Sequence, residues 1–221
     1  IDVRYDPRRR TVYADELHKL RGRKGLTQED AVRLLKSTTY FAPMMVRMGD
    51  ADGYLGGVSH HYPDIVRPCL HTIGPDPDSH RIVGTYMMTV NGQLMFIGDA
   101  TINIYPDSRT LAEIAVQTAK VARRFGVKPK VAMLSFSNFG TSGELRTDRI
   151  EEAVSIAREL DPDLTIDGPM QADTALVPAI QEDYPFMAFD GPANVLICPN
   201  LASANIAYKL LQRIAGAEMT G

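Results

Sequence analysis

Apolar residues recur at helical spacing in the first third of the chain and in short buried runs beyond it. Residues 13–24 and 27–36 read as helices, with Leu17 and Leu20 on one apolar face and a capping signal at Thr27-Gln28-Glu29-Asp30. Gly22 and Gly25 punctuate the turn between them. The apolar residues 40–48 run into 49–57, where four glycines alternate with acids and apolar residues. That pattern predicts a short buried strand bounded by loops where the backbone can approach a ligand. Residues 64–72 then read as a helix, with Pro63 in the favoured first-turn region.

The sharpest break is Gly74-Pro75-Asp76-Pro77-Asp78-Ser79, where prolines and alternating acids exclude regular structure. It divides the chain into an incomplete first lobe, 1–77, and a second lobe, 78–221. The second lobe opens with a hairpin, because residues 82–90 and 93–98 flank Asn91-Gly92, a pair suited to two positive φ angles. Strands and helices then alternate: a helix from Thr110, with Glu113 at capping-box spacing, to Gly126; a strand at 130–136; a helix at 148–160; a strand at 164–166; a helix at 174–181; a strand at 194–198; and a helix at 203–214. Such alternation predicts a two-lobed, three-layer α/β/α architecture with mostly parallel sheets. Ligand sites in such sheets lie beyond the carboxyl ends of the strands, which singles out the loops 137–143, 167–173 and 199–205.

Composition narrows the function classes. With 44% hydrophobic residues in 221, the chain can bury a sizeable core. The 24 basic and 27 acidic residues leave a charge of −3, too balanced for a nucleic-acid-binding field. Cys69 and Cys198 form no CxxC and accompany no histidine cluster, so both read as buried or inert thiols in a reducing cytoplasm, with no metal site. No apolar run reaches the roughly 18 residues of a membrane span, and no signal peptide is evident. The chain opens at Ile1 without an initiator methionine and stops just after a helical pattern, as a piece of something longer would.

Several residues could carry chemistry. The loop Ser135-Phe136-Ser137-Asn138-Phe139-Gly140-Thr141-Ser142-Gly143 is rich in hydroxyls and glycine, and either holds a phosphate or acyl oxyanion or merely caps its helix. It is neither a Walker loop nor a GxGxxG fingerprint. Arg21, Arg67 and Arg213 stand at locations where converging guanidinium forks would make an anion site, although each taken singly reads as solvated or ion-paired. The adjacent His60 and His61 diverge in any regular structure, which argues against shared metal binding. Asp50, Asp52, Asp99 and Asp167 next to glycines fit loop capping better than paired-carboxylate catalysis, and Met44, Met45, Met87 and Met88 fit core filling.

Taken together, these segments resemble the phosphotransacetylase family, which moves an acetyl group between acetyl phosphate and coenzyme A. The resemblance is carried by Leu20-Arg21-Gly22-Arg23-Lys24-Gly25-Leu26-Thr27, by 49–57 running on to Asp64-Ile65-Val66-Arg67-Pro68, by Leu111-Ala112-Glu113-Ile114-Ala115 and by Arg123-Arg124-Phe125-Gly126. It continues through Val131-Ala132-Met133-Leu134-Ser135, Ile166-Asp167-Gly168-Pro169-Met170-Gln171-Ala172-Asp173 and Tyr208-Lys209-Leu210-Leu211-Gln212-Arg213. It implies that Arg21, Arg67 and Arg213 bind substrate, while Ser137, Thr141, Ser142 and Gly143 are candidate ligand residues from the reading of the hydroxyl-rich loop alone. It also implies an isocitrate/isopropylmalate dehydrogenase-like pair of lobes with the site in the cleft between them, and a dimer-based homo-oligomer.

Within the family, Ser137-Asn138-Phe139-Gly140, Pro199-Asn200-Leu201 and Gly56-Gly57-Val58-Ser59-His60-His61-Tyr62 resemble the version fused behind bacterial NADP-dependent malic enzymes. That resemblance implies a regulatory domain that binds acetyl-CoA without a prosthetic group, NADP and a divalent metal belonging to the malic-enzyme part alone. The alternative is a phosphate acetyltransferase. The family's Ser-Arg pair and catalytic aspartate are expected on a segment beyond residue 221, so the chain itself is expected to hold no catalytic residue and to turn over little substrate.

Overall fold

The computed structural model describes residues 6–75, 81–140 and 148–220. The chain divides into two compact units, 1–80 and 81–221.

The first unit contains helices α1 (Pro7–Arg21), α2 (Gln28–Leu34), α3 (Thr38–Arg47) and α4 (Tyr62–Thr72), with a 3-10 turn at Gly22–Lys24. Helix α1 begins six residues earlier than its apolar face announces, since Asp6 accepts from the Arg9 amide and Pro7 opens the first turn. At α2 the Thr27 hydroxyl accepts from the Asp30 amide, as the capping signal requires. The buried strand expected where 40–48 run into the glycine-rich 49–57 does not form: Thr38–Arg47 make α3, and 49–57 are irregular and largely exposed. The aromatic and apolar residues of α3 read as strand, but Ser37 caps the Thr39 amide. Phe41 and Met44, three residues apart, both bury one helical face against Tyr13, Leu17 and Leu35. The Tyr13 and Phe41 rings meet at 5.0 Å. Among the described residues this unit holds helices and no strand, so its α/β character is not seen here.

The second unit is a three-layer α/β fold around a mixed six-stranded sheet ordered β4-β3-β5-β2-β1-β6. Strands β1 (Thr85–Val90) and β2 (Gln93–Gly98) form the expected hairpin, with Asn91 and Gly92 at φ of 49° and 76°. Strands β2, β5 (Val195–Ile197), β3 (Lys130–Leu134) and β4 (Thr165–Met170) run parallel, while β6 (Glu218–Thr220) joins the β1 edge antiparallel. Side chains alternate between the faces. Val131, Met133, Val195 and Ile197 pack against α5 (Ser108–Arg124) and α6 (Asp148–Leu160). Ala132, Leu196 and Cys198 face the opposite layer, where α7 (Ala172–Leu176) supplies Ala175 and α9 (Leu201–Ile214) supplies Ala204.

Three expectations need correction here. The cap of α5 is Asp107, whose carboxylate accepts from the Thr110 amide, so the helix starts before the Thr110–Glu113 spacing. The helix expected over 174–181 breaks at Val177, whose ψ of 108° is extended ahead of Pro178, leaving α7 and a one-turn α8 (Pro178–Gln181). Strand β6 lies where no structure was expected after α9.

Candidate functional site

The first unit gathers cations without counter-charges. Arg21 ends α1, Lys24 closes the 3-10 turn and Arg67 lies on α4. Within their electrostatic reach are Tyr40 of α3 and His71 of α4, the phenol oxygen 2.8 Å from the imidazole Nδ1 and the rings 6.0 Å apart. Burial raises the Tyr40 phenol above its ordinary value, and the charges of Arg67 and Arg21 pull it back. Burial, then the charges of Arg21, Arg67 and Lys24, hold the His71 imidazole below its ordinary value. Arg21 and Arg67 therefore act on the same two side chains although 46 positions separate them in the sequence.

Among the described residues these cations, like Arg23, Arg124 and Arg213, have no carboxylate within ion-pair reach, and what sets them apart is that all three act on one imidazole. Arg9, Arg33, Arg47, Arg109, Arg123 and Arg158, by contrast, each lie within ion-pair reach of an Asp or Glu. Clustered guanidinium groups left open in this way are suited to an anion from solution, phosphate above all. Tyr40 and His71 went unnoticed in the sequence, because 31 residues separate them and neither sits in a motif.

Arg213 belongs to the second unit, exposed on the last turn of α9. In that unit a cavity of about 500 Å³ opens at the carboxyl ends of β3 and β5. Leu134, Phe136, Ile150 and Cys198 line it together with Arg149 and Ser203. Arg149 fixes its rim: Nη1 donates to the Pro106 carbonyl and Nη2 to the Pro199 carbonyl, each at 2.9 Å. Asn200 accepts from the Ser203 amide at 2.9 Å and so caps α9. Burial pushes the Cys198 thiol up to about 11, which leaves it protonated and inert near neutral pH.

Of the hydroxyl-rich loop, Ser137 is buried, and Thr141, Ser142 and Gly143 lie outside the described residues. Asn138 anchors the loop, its Oδ1 accepting from the Gln171 amide at 2.7 Å and its Nδ2 donating to the Tyr184 hydroxyl at 3.0 Å. The aspartates at glycines serve as braces. Asp99 accepts from the amides of Ile102 and Asn103, both at 2.8 Å, and Asp167 from those of Gly168 and Ala188. Among the described residues, no group of three or more His, Cys, Asp or Glu side chains could hold a metal ion. No described helix is long and apolar enough to cross a membrane.

Comparison with known proteins fits this architecture. The profile of the family described as phosphate acetyl/butaryl transferase matches residues 1–221. The phosphate acetyltransferase of Bacillus subtilis (strain 168) is 40% identical over 201 residues, covering 90% of this chain and 62% of that protein. The NADP-dependent malic enzyme of Rhizobium meliloti (strain 1021) is 37% identical over 210 residues, 95% of this chain and 28% of that protein. Among solved structures, EutD phosphotransacetylase from Staphylococcus aureus superposes with a TM-score of 0.90 at 36% identity, over all of this chain and 68% of the other. The chain thus spans less than two thirds of the Bacillus subtilis enzyme. A family profile matched from the first residue to the last, on a fold shared with solved phosphotransacetylases, means that this chain belongs to the phosphate acetyl/butaryl transferase family.

Proposed function

We propose that the chain serves a phosphate acetyltransferase, passing an acetyl group between acetyl phosphate and coenzyme A. The observation that carries this reading is that Arg21, Lys24 and Arg67 all act on His71 and, among the described residues, have no neutralising carboxylate. Every partner in such a transfer is an anion at neutral pH: acetyl phosphate, inorganic phosphate and both forms of the coenzyme. A guanidinium fork matches a phosphate edge through two parallel hydrogen bonds, and such charge-assisted bonds are about twice as strong as neutral ones. Arg213, Ser137, Thr141, Ser142 and Gly143 are the proposed ligand residues of the second unit. The family membership supports the reading, as do the phosphate acetyltransferases among the relatives.

A second reading, a regulatory domain of a malic enzyme that senses acetyl-CoA, draws on the Rhizobium meliloti relative. It is the weaker of the two, because that is one relative beside several phosphate acetyltransferases. Calorimetry with coenzyme A, acetyl-CoA and acetyl phosphate separates them. The transferase reading expects saturable binding of both coenzyme A and acetyl phosphate, competing with inorganic phosphate. Acetyl-CoA binding with no response to acetyl phosphate would favour the regulatory reading, and silence toward all three ligands would defeat both.

A further inference from the structure

The Tyr40–His71 pair stands inside the cation group, yet anion binding by arginine does not require it. Tyr40 packs against the core of the first unit, so its hydroxyl is held in place. That hydroxyl meets Nδ1 of His71 at 2.8 Å, while Nε2 makes no hydrogen bond to any described residue. A phenol keeps its proton throughout the neutral range. The Tyr40 hydroxyl can donate or accept at this distance, and as donor to Nδ1 of the neutral ring it leaves the ring's own proton on Nε2. In that tautomer the unbonded edge of His71 presents an N–H donor.

The groups facing this ring are Arg21 from α1, Lys24 from the 3-10 turn, Tyr40 from α3 and Arg67 from its own helix. None is a carboxylate, so an imidazolium here finds no counter-ion among the described residues. A phosphate dianion held by Arg21 and Arg67 would supply one. We infer that His71, oriented by Tyr40, is a further binding residue of the anion site: its Nε2–H donates to a phosphate oxygen, and the ring takes up a proton from solvent as the dianion docks. Nδ1 then carries that proton and donates it in a hydrogen bond back to the Tyr40 hydroxyl. This inference rests on the reading of Arg21 and Arg67 as phosphate ligands. The same chemistry is offered by the small anion of an acyl phosphate and by the phosphate groups of coenzyme A.

Calorimetric titration of the 221-residue chain at pH 7, in two buffers of different ionisation heat, tests it. The ligands are sodium sulfate, a dianion with no titrating proton of its own, and coenzyme A. Wild type should bind with uptake of a fraction of a proton. His71→Gln should bind about 10–100-fold more weakly, the worth of a hydrogen bond between charged groups, and lose that uptake. Tyr40→Phe should keep the uptake but move its pH dependence, because the tautomer is no longer fixed. A loss confined to sulfate assigns the site to the small anion, and one confined to coenzyme A assigns it to the coenzyme's phosphate.

Proton uptake that is equal in wild type and His71→Gln for both ligands overturns the inference while leaving the arginines in place. Binding that Arg67→Ala does not weaken would overturn the underlying reading instead. Should His71→Gln fail to fold, imidazole NMR of the wild type decides, since the midpoint of one of the five histidines must rise with sulfate. If none rises, His71 does not contact the anion.

Discussion

A Cβ placed on Gly98, at the end of β2, would stand 2.6 Å from Oγ1 of Thr118 on α5. The same carbon would meet Ile197 Cδ1 at 2.6 Å and Ile114 Cγ2 at 2.9 Å. Thr118 cannot swing aside cheaply, because it is fully buried and its hydroxyl donates to the Ile114 carbonyl at 2.7 Å. Helix α5 therefore rests directly on the backbone of the sheet. Gly98→Ala should overpack this contact and cost about 1–3 kcal/mol. Urea denaturation checks it: an unchanged midpoint would mean that α5 moves freely off β2.

Arg67 is exposed and has no carboxylate partner among the described residues, whereas Arg33, also exposed, pairs with Asp30 at 2.5 Å. The two arginines make a matched comparison of a cation kept open and a cation already answered. Arg67→Ala should weaken coenzyme A and inorganic phosphate binding by about 1.5–3 kcal/mol, the range for a hydrogen bond to a charged group. Arg33→Ala should leave it unaltered. Equal losses in both variants, measured by calorimetry, would reduce the effect to net charge.

Cys198 provides a pH-dependent prediction. Burial raises its thiol from 9.0 to about 11, so the folded chain holds a proton that the unfolded chain releases earlier. The folded value is the higher one. Its stabilising contribution is complete below pH 9 and is lost as pH rises toward 11. A shift of this size corresponds to at most about 2–3 kcal/mol. Tyr13, also raised by burial, titrates in the same direction, so the measurement is a comparison. Between pH 8 and 10.5, the stability of wild type should fall more than that of Cys198→Ala. Parallel declines would show that the thiol is not held away from water.

Elements whose signals are local could be read from the sequence. Asn91-Gly92 specified its hairpin through two positive φ angles, and Thr27 specified the start of α2 through its own hydroxyl. The run at 40–48 misled because strand-favouring residues were outweighed by a core that Phe41 and Met44 enter from one helical face. Strand β6 was invisible because its three residues are ordered by pairing with Met87–Thr89, some 130 positions earlier. The site divides in the same way. Arg21, Arg67 and Arg213 could be nominated from their locations, while the ligand came only from the family resemblance. The shared neighbours of Arg21 and Arg67, Tyr40 and His71, come from two helices joined by a long glycine-rich stretch, and only folding brings them together.

Arg149 illustrates the same limit and gives the last prediction. Nothing near it in the sequence marks it, since its carbonyl partners at Pro106 and Pro199 lie 43 and 50 residues away. In the fold its guanidinium spans the loop before α5 and the loop before α9, beside the cavity at the strand ends. A planar fork can bond both carbonyls at once, while an ammonium on a flexible stem offers no such fixed geometry. Arg149→Ala should cost about 1.5–3 kcal/mol of stability. Arg149→Lys should recover less than half of that loss, although it keeps the charge. Full recovery by lysine in urea denaturation would mean that the charge alone holds these loops, and that the two-carbonyl geometry contributes nothing.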